Sequence, residues 1–201
     1  MSLERVKKSL QRQPGEFRDA SLVIVATEGE HTERLYLDQF RNRRVKVVPV
    51  VCEDGTSSPE GTLNRLNVAL DAFDVGDGDS FWLLVDRDQW TEAMFSQVRS
   101  QCVQKGYTLA VSNRRFEAFL ALHVENAANS PLFLAGDYEA VIRSTLGSYN
   151  KTSYNAATLF ENRHIACDQC RALDTMENAI FPPDHCSRAY LLVEHIESLV
   201  G

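Results

Sequence analysis

The sequence predicts an α/β protein with a mainly parallel, four-stranded sheet that is flanked by helices and followed by a helical C-terminal segment. Two observations support this prediction. Four short runs rich in apolar and β-branched residues alternate with segments whose apolar residues recur at helical spacing. After residue 125 only helical patterns remain. Strands that are apolar on both faces are typical of parallel sheets covered by helices, and the alternation predicts right-handed crossovers.

The four predicted strands are residues 21–26, 45–51, 81–86 and 107–111, with the sequences SLVIVA, VKVVPVV, FWLLVD and YTLAV. Pro49 removes a backbone donor from the second run and therefore favours an edge position for that strand. The first strand runs into the turn TEGE, and the fourth runs into SNRRFE. Both turns place polar residues directly after a predicted strand.

The predicted helices alternate with these strands and then continue to the end of the chain. They begin near residue 31 and cover residues 63–73, 91–105, 114–125, 137–146, about 156–179 and 188–199. The chain is therefore divided into a basic N-terminal arm (residues 1–17), an α/β core (residues 18–125) and a helical segment packed on that core (residues 126–201).

Composition places the chain among folded proteins that do not cross a membrane. Hydrophobic residues make up 44% and charged residues 24% of the 201 positions, which argues against extensive disorder. No apolar run approaches the roughly 20 residues of a membrane span, and the N-terminus lacks the apolar stretch of a secretion signal. A cytoplasmic protein is expected.

The net charge and the cysteines exclude little. A net charge of −7 opposes binding of nucleic acid over the whole surface, but it leaves room for a local basic groove. Five cysteines, an odd number, favour reduced thiols over a disulfide framework. The spacing of His164, Cys167 and Cys170 suggests zinc only weakly, because three-residue steps drift around a helix and no second CxxC is present.

Acidic residues follow two of the predicted strands. Glu28 and Glu30 come after the first strand, and Asp86 and Asp88 after the third. Because the carboxyl ends of parallel strands meet at one edge of a sheet, these carboxylates are expected to lie close together. Oxygen ligands of this kind suit Mg²⁺ or Mn²⁺, so Glu28, Asp86 and Asp88 are predicted to bind a metal. The alternative is a set of solvated loop acids.

An EG turn after the first strand with DxD after the third resembles the Toprim domain of topoisomerases, primases and several nucleases. More closely, the chain resembles the RloB family over residues 21–200. The resemblance lies in the segments LVIVATEGEHTERLYL, FWLLVDRDQW, SNRRFEAFLALH, NKTSYN and RAYLLVEHI. It implies a Toprim-like fold, metal-dependent phosphodiester chemistry and an association with bacterial restriction loci and with phage defence or abortive infection.

The resemblance also assigns residues. The Toprim glutamate corresponds to Glu28 and the two aspartates to Asp86 and Asp88. The RloB-type motif after the fourth strand corresponds to Ser112, Asn113, Phe116, Glu117 and His123. The chain departs from the family at Ala26-Thr27, where valine-cysteine is usual, and at Arg114 and Arg115, where a proline and a small residue are more common.

Further roles follow for residues beside the predicted acids. Glu117 is a candidate ligand or water-positioning group, or a structural glutamate. Arg114 and Arg115 are candidates for phosphate binding, or for a solvated helix start. Lys151 is a candidate for neutralising transition-state charge, or an ordinary surface lysine. His123 lies on an apolar stripe and is expected in the core.

Together these residues predict a metal-dependent nuclease with Glu28, Asp86, Asp88 and Glu117 as catalytic groups, and Arg114, Arg115 and Lys151 as substrate-binding groups. The alternative is a non-catalytic sensor or adaptor that keeps the Toprim scaffold. A nucleotidyl transferase is less favoured, because no Walker-type loop is present. The expected partner is DNA or RNA; a partner ATPase, a restriction-system protein and a second copy of the chain are further candidates.

Overall fold

The computed structural model describes residues 20–53, 55, 57–87, 90–176 and 178–201. The predicted basic arm, residues 1–17, and Asp88 lie outside the described residues.

The sheet has four strands, β1 (Ser21–Thr27), β2 (Val45–Val50), β3 (Ser80–Asp86) and β4 (Thr108–Ser112). All neighbouring pairs are parallel, and the order is β2-β1-β3-β4. The predicted fold class is confirmed, and it is consistent with a Toprim-like fold. Strand β2 lies at an edge, where the missing backbone donor of Pro49 is tolerated.

Nine α-helices are assigned among the described residues. They are α1 (Thr32–Leu37), α2 (Pro59–Leu70), α3 (Glu92–Lys105), α4 (Glu117–Ala121), α5 (Pro131–Leu134), α6 (Tyr138–Leu146), α7 (Ala156–Glu161), α8 (Arg163–Leu173) and α9 (Ala189–Val200). None of the helices in the described ranges is long and apolar enough to cross a membrane.

Two helix predictions were wrong in their bounds. The helix predicted over residues 156–179 is two helices, α7 and α8, because Asn162 leaves the helical conformation between them. Helix α8 ends at Leu173, where the next residue, Asp174, forms a buried ion pair with Arg188. The helix predicted from residue 114 begins only at Glu117, since Arg114 has a left-handed backbone with φ of 83°.

The core consists of two layers, one on each face of the sheet. Helices α2 and α3 cover one face, where Ile24, Leu66 and Val98 are fully buried. Helices α1, α4, α6, α8 and α9 cover the other, around residues such as Val25 and Phe119. The helical segment after residue 125 thus shares its largest hydrophobic cluster with the sheet. This packing leaves the carboxyl edge of the strands open between α1 and α4.

Candidate functional site

Glu28 and Asp86 lie side by side at the carboxyl edge of the sheet. Glu28 directly follows β1, Asp86 is the last residue of β3, and these strands are neighbours. The Glu28 backbone N–H donates to Leu84 O at 3.2 Å, and Glu28 Oε2 accepts a hydrogen bond from the Asp86 backbone N–H at 2.9 Å. Glu28 Oε1 accepts from Trp90 Nε1 at 3.3 Å. The Glu28 carboxylate is therefore held in a fixed orientation across the two strands.

Two further carboxylates approach this pair from the helices. Glu33 is in the first turn of α1 and only 5% exposed, and Glu117 is in the first turn of α4 and 4% exposed. We call Glu28, Glu33, Asp86 and Glu117 the carboxylate pocket. The cavity around them has a volume of about 660 Å³ and is also lined by Gly29, Thr32, Ser57, Arg114, Arg115 and Lys151.

Gly29 leaves room for the close approach of Glu33. A Cβ atom at this position would collide with the Glu33 carboxylate, so the side chain of Glu33 would have to move. The glycine of the EG turn therefore lets a helix carboxylate reach the edge of the sheet. Packing explains this glycine, since its backbone does not adopt a positive φ.

Burial and neighbouring negative charges raise the pKa values of two carboxylates of the pocket, Glu33 and Asp86. Burial, together with the negative charges of Glu117 and Glu28, raises the pKa of Glu33 to about 7, although hydrogen bonding to its own backbone and the charge of Lys151 act in the opposite direction. Burial and the charges of Glu33, Glu28 and Glu117 raise the pKa of Asp86 well above its ordinary value. The pocket is a place where negative charge is destabilised and a cation would be favoured.

Lys151 supplies a positive charge inside the pocket. Its Nζ lies 2.7 Å from Glu117 Oε1, and Tyr149 OH donates to the same oxygen at 3.5 Å. The loop that contains Lys151 is tied to α1, because Tyr154 OH donates to Thr32 O at 2.9 Å. A loop more than 110 residues away in sequence is thus part of the same site.

The two arginines lie at the rim of the pocket, each held by an acid from the helical segment. Arg114 donates through Nε and Nη2 to both carboxylate oxygens of Asp184, each at 2.7 Å. Arg115 lies 3.7 Å from Glu139 and stacks over the ring of Tyr138 at 5.4 Å. Their guanidinium groups are therefore oriented before any ligand arrives.

The loop around residue 184 is itself fixed to the end of β4. Asn113 donates from its side chain to Pro182 O at 2.8 Å and from its backbone to Cys186 O at 2.8 Å. The Ser112 and Ser187 hydroxyls are hydrogen-bonded at 2.8 Å. The first residues of the SNRRFE segment thus position the loop that orients Arg114.

Some sequence-predicted residues are not in the pocket. Glu30 is exposed, and its Oε2 lies 3.6 Å from His31 Nε2, whereas Asp88 lies outside the described residues. His123 is fully buried, hydrogen-bonded to Tyr36 OH at 2.9 Å and to Phe119 O at 3.0 Å, and burial lowers its pKa to about 4. His123 is a core residue, as its apolar stripe suggested.

The zinc motif does not assemble. Cys167 and Cys170 are buried, and burial raises the pKa values of both thiols, whereas His164 is exposed. Within residues 20–201, leaving out those not described, no group of three or more histidine, cysteine or acidic side chains is arranged to hold a metal as it stands. The metal-binding role of Glu28, Asp86 and Asp88 stays a prediction.

Sequence reasoning missed Glu33. A signal was present, because Glu33 lies three and four positions before Tyr36 and Leu37, which are both buried on α1. A glutamate on the apolar side of a helix that starts beside a sheet edge is expected to be buried at that edge.

A model of the RloB-like protein family matches residues 23–196. No curated protein and no solved structure matches the chain. The matched region contains β1 to β4, α4 and the loop around Asp184, so it includes every element that lines the carboxylate pocket. The chain belongs to the RloB-like protein family.

Proposed function

We propose that this chain is a nuclease that hydrolyses phosphodiester bonds of DNA or RNA with Mg²⁺ or Mn²⁺, and that it acts in bacterial defence against phage. The observation that supports this most strongly is the convergence of four carboxylates in one open cavity that also contains Arg114, Arg115 and Lys151. Phosphodiester hydrolysis uses oxygen ligands for a hard cation and positive side chains for the phosphate. The pocket offers both. The defence role is what the family resemblance implies.

The donor chemistry of the pocket fits a hard divalent cation. Its acids offer only carboxylate oxygens. The raised pKa of Asp86 reflects burial first and then repulsion from Glu33, Glu28 and Glu117, and a bound cation would relieve that repulsion. In the proposal Glu28, Asp86 and Asp88 hold the ion. When bound, the ion would polarise a phosphate oxygen and lower the pKa of a coordinated water.

The remaining steps belong to side chains. Arg114 and Arg115 orient the phosphate through their fixed guanidinium groups, and Lys151 balances the charge that develops on its oxygens. Glu33 lines the cavity beside the proposed ligands without being one of them, and in the proposal it accepts a proton from the attacking water. Its burial against Gly29 keeps it at the inner wall of the cavity.

A second candidate is a non-catalytic sensor or adaptor that binds a nucleic acid or a protein. It is favoured by the hydrogen bonds to both Glu28 oxygens and by the ion pair between Lys151 and Glu117, which occupy groups that a metal would otherwise use. In this candidate the buried acids maintain the shape of the pocket.

Cleavage assays decide between these candidates. Labelled single-stranded DNA, duplex DNA and structured RNA are incubated with the purified protein and Mg²⁺ or Mn²⁺, and EDTA is expected to stop cleavage. Asp86→Ala is expected to lower the rate by at least ~100-fold, because the ion loses a ligand. The matched control is Glu30→Ala, which removes an exposed acid near the same motif and should leave the rate unchanged.

The nuclease proposal fails if wild-type protein cleaves none of these substrates with either metal, or if Asp86→Ala is as active as wild type. Calorimetry with Mn²⁺ adds an independent measurement. The sensor candidate predicts no metal binding that depends on Asp86, and an Asp86→Ala strain that still resists phage.

A further inference from the structure

A group of basic residues lies at the end of the sheet opposite to the carboxylate pocket. Arg41, Arg43, Arg44 and Lys46 occur within six positions, between α1 and the start of β2, and all four are exposed. We call these four residues the basic edge. The whole chain has a net charge of −7, so this concentration of positive charge runs against its overall balance.

The basic edge has no acidic partners among the described residues. Other basic side chains of the chain, such as Arg114, Arg163 and Arg188, form ion pairs with acids. Within the described ranges, the side chains of the basic edge make no ion pair, and Arg44 Nη1 donates only to the carbonyl oxygen of Val200 at 3.3 Å. Four neighbouring positive charges without acidic partners indicate a surface that binds an anion.

The backbone of the basic edge is ordered by local hydrogen bonds. The Arg44 N–H donates to Asn42 Oδ1 at 2.8 Å, and residues 41 and 46 form an antiparallel bridge. The side chains therefore project from a fixed turn, which lowers the entropy lost when they contact a ligand.

A shallow cavity of about 550 Å³ lies between these side chains. It is lined by the basic residues Arg41, Arg43 and Lys46 and by the apolar residues Phe40, Val45 and Val47, among others. Cationic side chains beside aromatic and aliphatic ones suit a nucleic-acid strand, whose phosphates are anionic and whose bases are flat and can stack.

The distance between the basic edge and the carboxylate pocket allows one nucleic-acid strand to contact both. Val45 pairs with Ser21 at the amino end of β1, whereas Glu28 follows its carboxyl end, so seven strand residues separate the two sites. At roughly 3.3 Å per residue this is ~20 Å, which is the axial length of about six nucleotides of a stacked, helical strand at 3.4 Å each. Helix α1 joins the sites, since it begins beside the pocket at Thr32 and leads to Arg41.

We propose that the basic edge is a second nucleic-acid-binding surface, which contacts the phosphates of the strand about six nucleotides from the phosphate in the carboxylate pocket. The inference rests on the proposed function in one respect, namely that the bound polyanion is the nucleic acid that the pocket acts on. It adds a length requirement, because only a substrate that spans both surfaces gains from the basic edge.

The test compares two variants of equal net charge in the full chain. Arg41→Gln with Arg43→Gln removes two charges from the basic edge. Arg99→Gln with Lys105→Gln removes two exposed charges from α3 on the other face of the sheet. Binding of a labelled 20-nucleotide single strand is measured by fluorescence anisotropy in EDTA, between about 50 and 300 mM salt, and thermal unfolding confirms that both variants fold.

The basic-edge variant is expected to bind about tenfold more weakly at ~0.1 M salt. The magnitude of the slope of log Kobs against log salt should fall by about 1.4, since each of the two lost phosphate contacts on a single strand removes ~0.7. The α3 variant should match wild type. Equal losses in both variants, or a loss in neither, overturn the inference, as does binding of the basic edge to phosphatidylserine vesicles but not to the strand.

Cleavage separates this inference from the proposed function. With Mn²⁺, the basic-edge variant should cleave the 20-nucleotide strand with a KM several-fold higher, and a four-nucleotide strand with unchanged kinetics. If the wild-type protein binds the strand through the basic edge but cleaves no substrate, the nuclease proposal is refuted and the second binding surface is still supported. If the protein cleaves the strand but the basic-edge substitutions leave KM unchanged, the second binding surface is refuted and the nuclease proposal stands.

Discussion

Helices α1 and α4 each contribute to two different environments. Each helix presents a glutamate from its first turn, Glu33 or Glu117, to the carboxylate pocket. Residues in and beside the same helices also contribute to an aromatic layer, which consists of Tyr36, Phe40, Phe116, Phe119, His123 and Phe160. The Tyr36 ring makes edge-to-face contacts at 5.5 Å with both Phe119 and Phe160. The pocket and the aromatic layer thus adjoin each other and share the same short elements.

The two environments differ in whether their buried polar groups have favourable partners. In the aromatic layer, the Tyr36 hydroxyl and both ring nitrogens of His123 have hydrogen-bond partners. In the pocket, Glu33 is buried and Asp86 is partly buried, both beside like charges. Stability is therefore expected to come from the aromatic layer, whereas the like charges of the pocket are expected to lower it.

The pH dependence of stability should differ between them in sign. The His123 pKa is lowered to about 4, so its contribution to stability is present above pH ~6.5 and is lost as pH falls towards 4. The Glu33 pKa is raised from 4.5 to about 7, so its contribution is present below pH 4.5 and is lost as pH rises through 7. Lowering the pH should therefore destabilise the protein through His123 in the aromatic layer, whereas raising the pH to neutrality should destabilise it through Glu33 in the pocket.

Truncating the aromatic layer should give the largest effect. Phe119→Ala removes a fully buried ring that contacts Tyr36, Phe116 and His123, and is expected to lower the free energy of unfolding by about 3–5 kcal/mol. Urea denaturation at pH 7 measures the loss. Phe119→Leu is the control and should lose less, because it leaves a smaller cavity. A loss below ~1 kcal/mol for Phe119→Ala would mean that the aromatic layer does not stabilise the fold.

Removing a charge from the pocket should act in the opposite direction. Glu33→Gln keeps the shape of the side chain and stays neutral. At pH 8 the free energy of unfolding of the variant is therefore expected to be higher than that of wild type by up to about 3 kcal/mol. Near pH 4, where Glu33 is protonated, the two proteins should be equal. Denaturation at both pH values checks this.

Glu30→Gln is the control for this substitution, since Glu30 is exposed and should change stability little at either pH. If Glu33→Gln were destabilising at pH 8, the carboxylate would be a favourable structural charge, and the contrast between pocket and aromatic layer would be lost.

The sequence predicted the sheet well because its strands depend on local properties. Continuous apolar runs such as SLVIVA and FWLLVD can be read without knowing their neighbours, and Pro49 marks the edge strand by its chemistry alone. Because the predicted strands are parallel, Glu28 and Asp86 are both expected at the carboxyl edge of the sheet. That part of the candidate site followed from topology.

The remaining part of the site depends on contacts between distant residues. The burial of Glu33 follows from its position on a six-residue helix, whose bounds the apolar spacing did not define. The partner of Arg114 is Asp184, 70 residues later, in a segment with no regular pattern. Tertiary contacts of this kind leave no local signal, so the orientation of the arginines could not be predicted.

The rim of the pocket should give the smallest effect on stability and a selective effect on function. Asp184 and Arg114 are 53% and 49% exposed, so Asp184→Asn is expected to change the free energy of unfolding by less than about 1 kcal/mol. Arg114 would lose the carboxylate that fixes both of its donor nitrogens, and its orientation towards the phosphate with it. Under the proposed function, KM should therefore rise several-fold while kcat stays near the wild-type value.

The matched control for this rim substitution is Asp168→Asn, which removes an exposed partner of Arg171 on α8, whose side chains do not line the pocket. Its KM should equal that of wild type. If Asp184→Asn lowered kcat instead, Arg114 would contribute to the chemical step and not only to binding. If neither variant changed KM, Arg114 would not contact the substrate, and its left-handed backbone and its ion pair would serve only to fix the loop around residue 184.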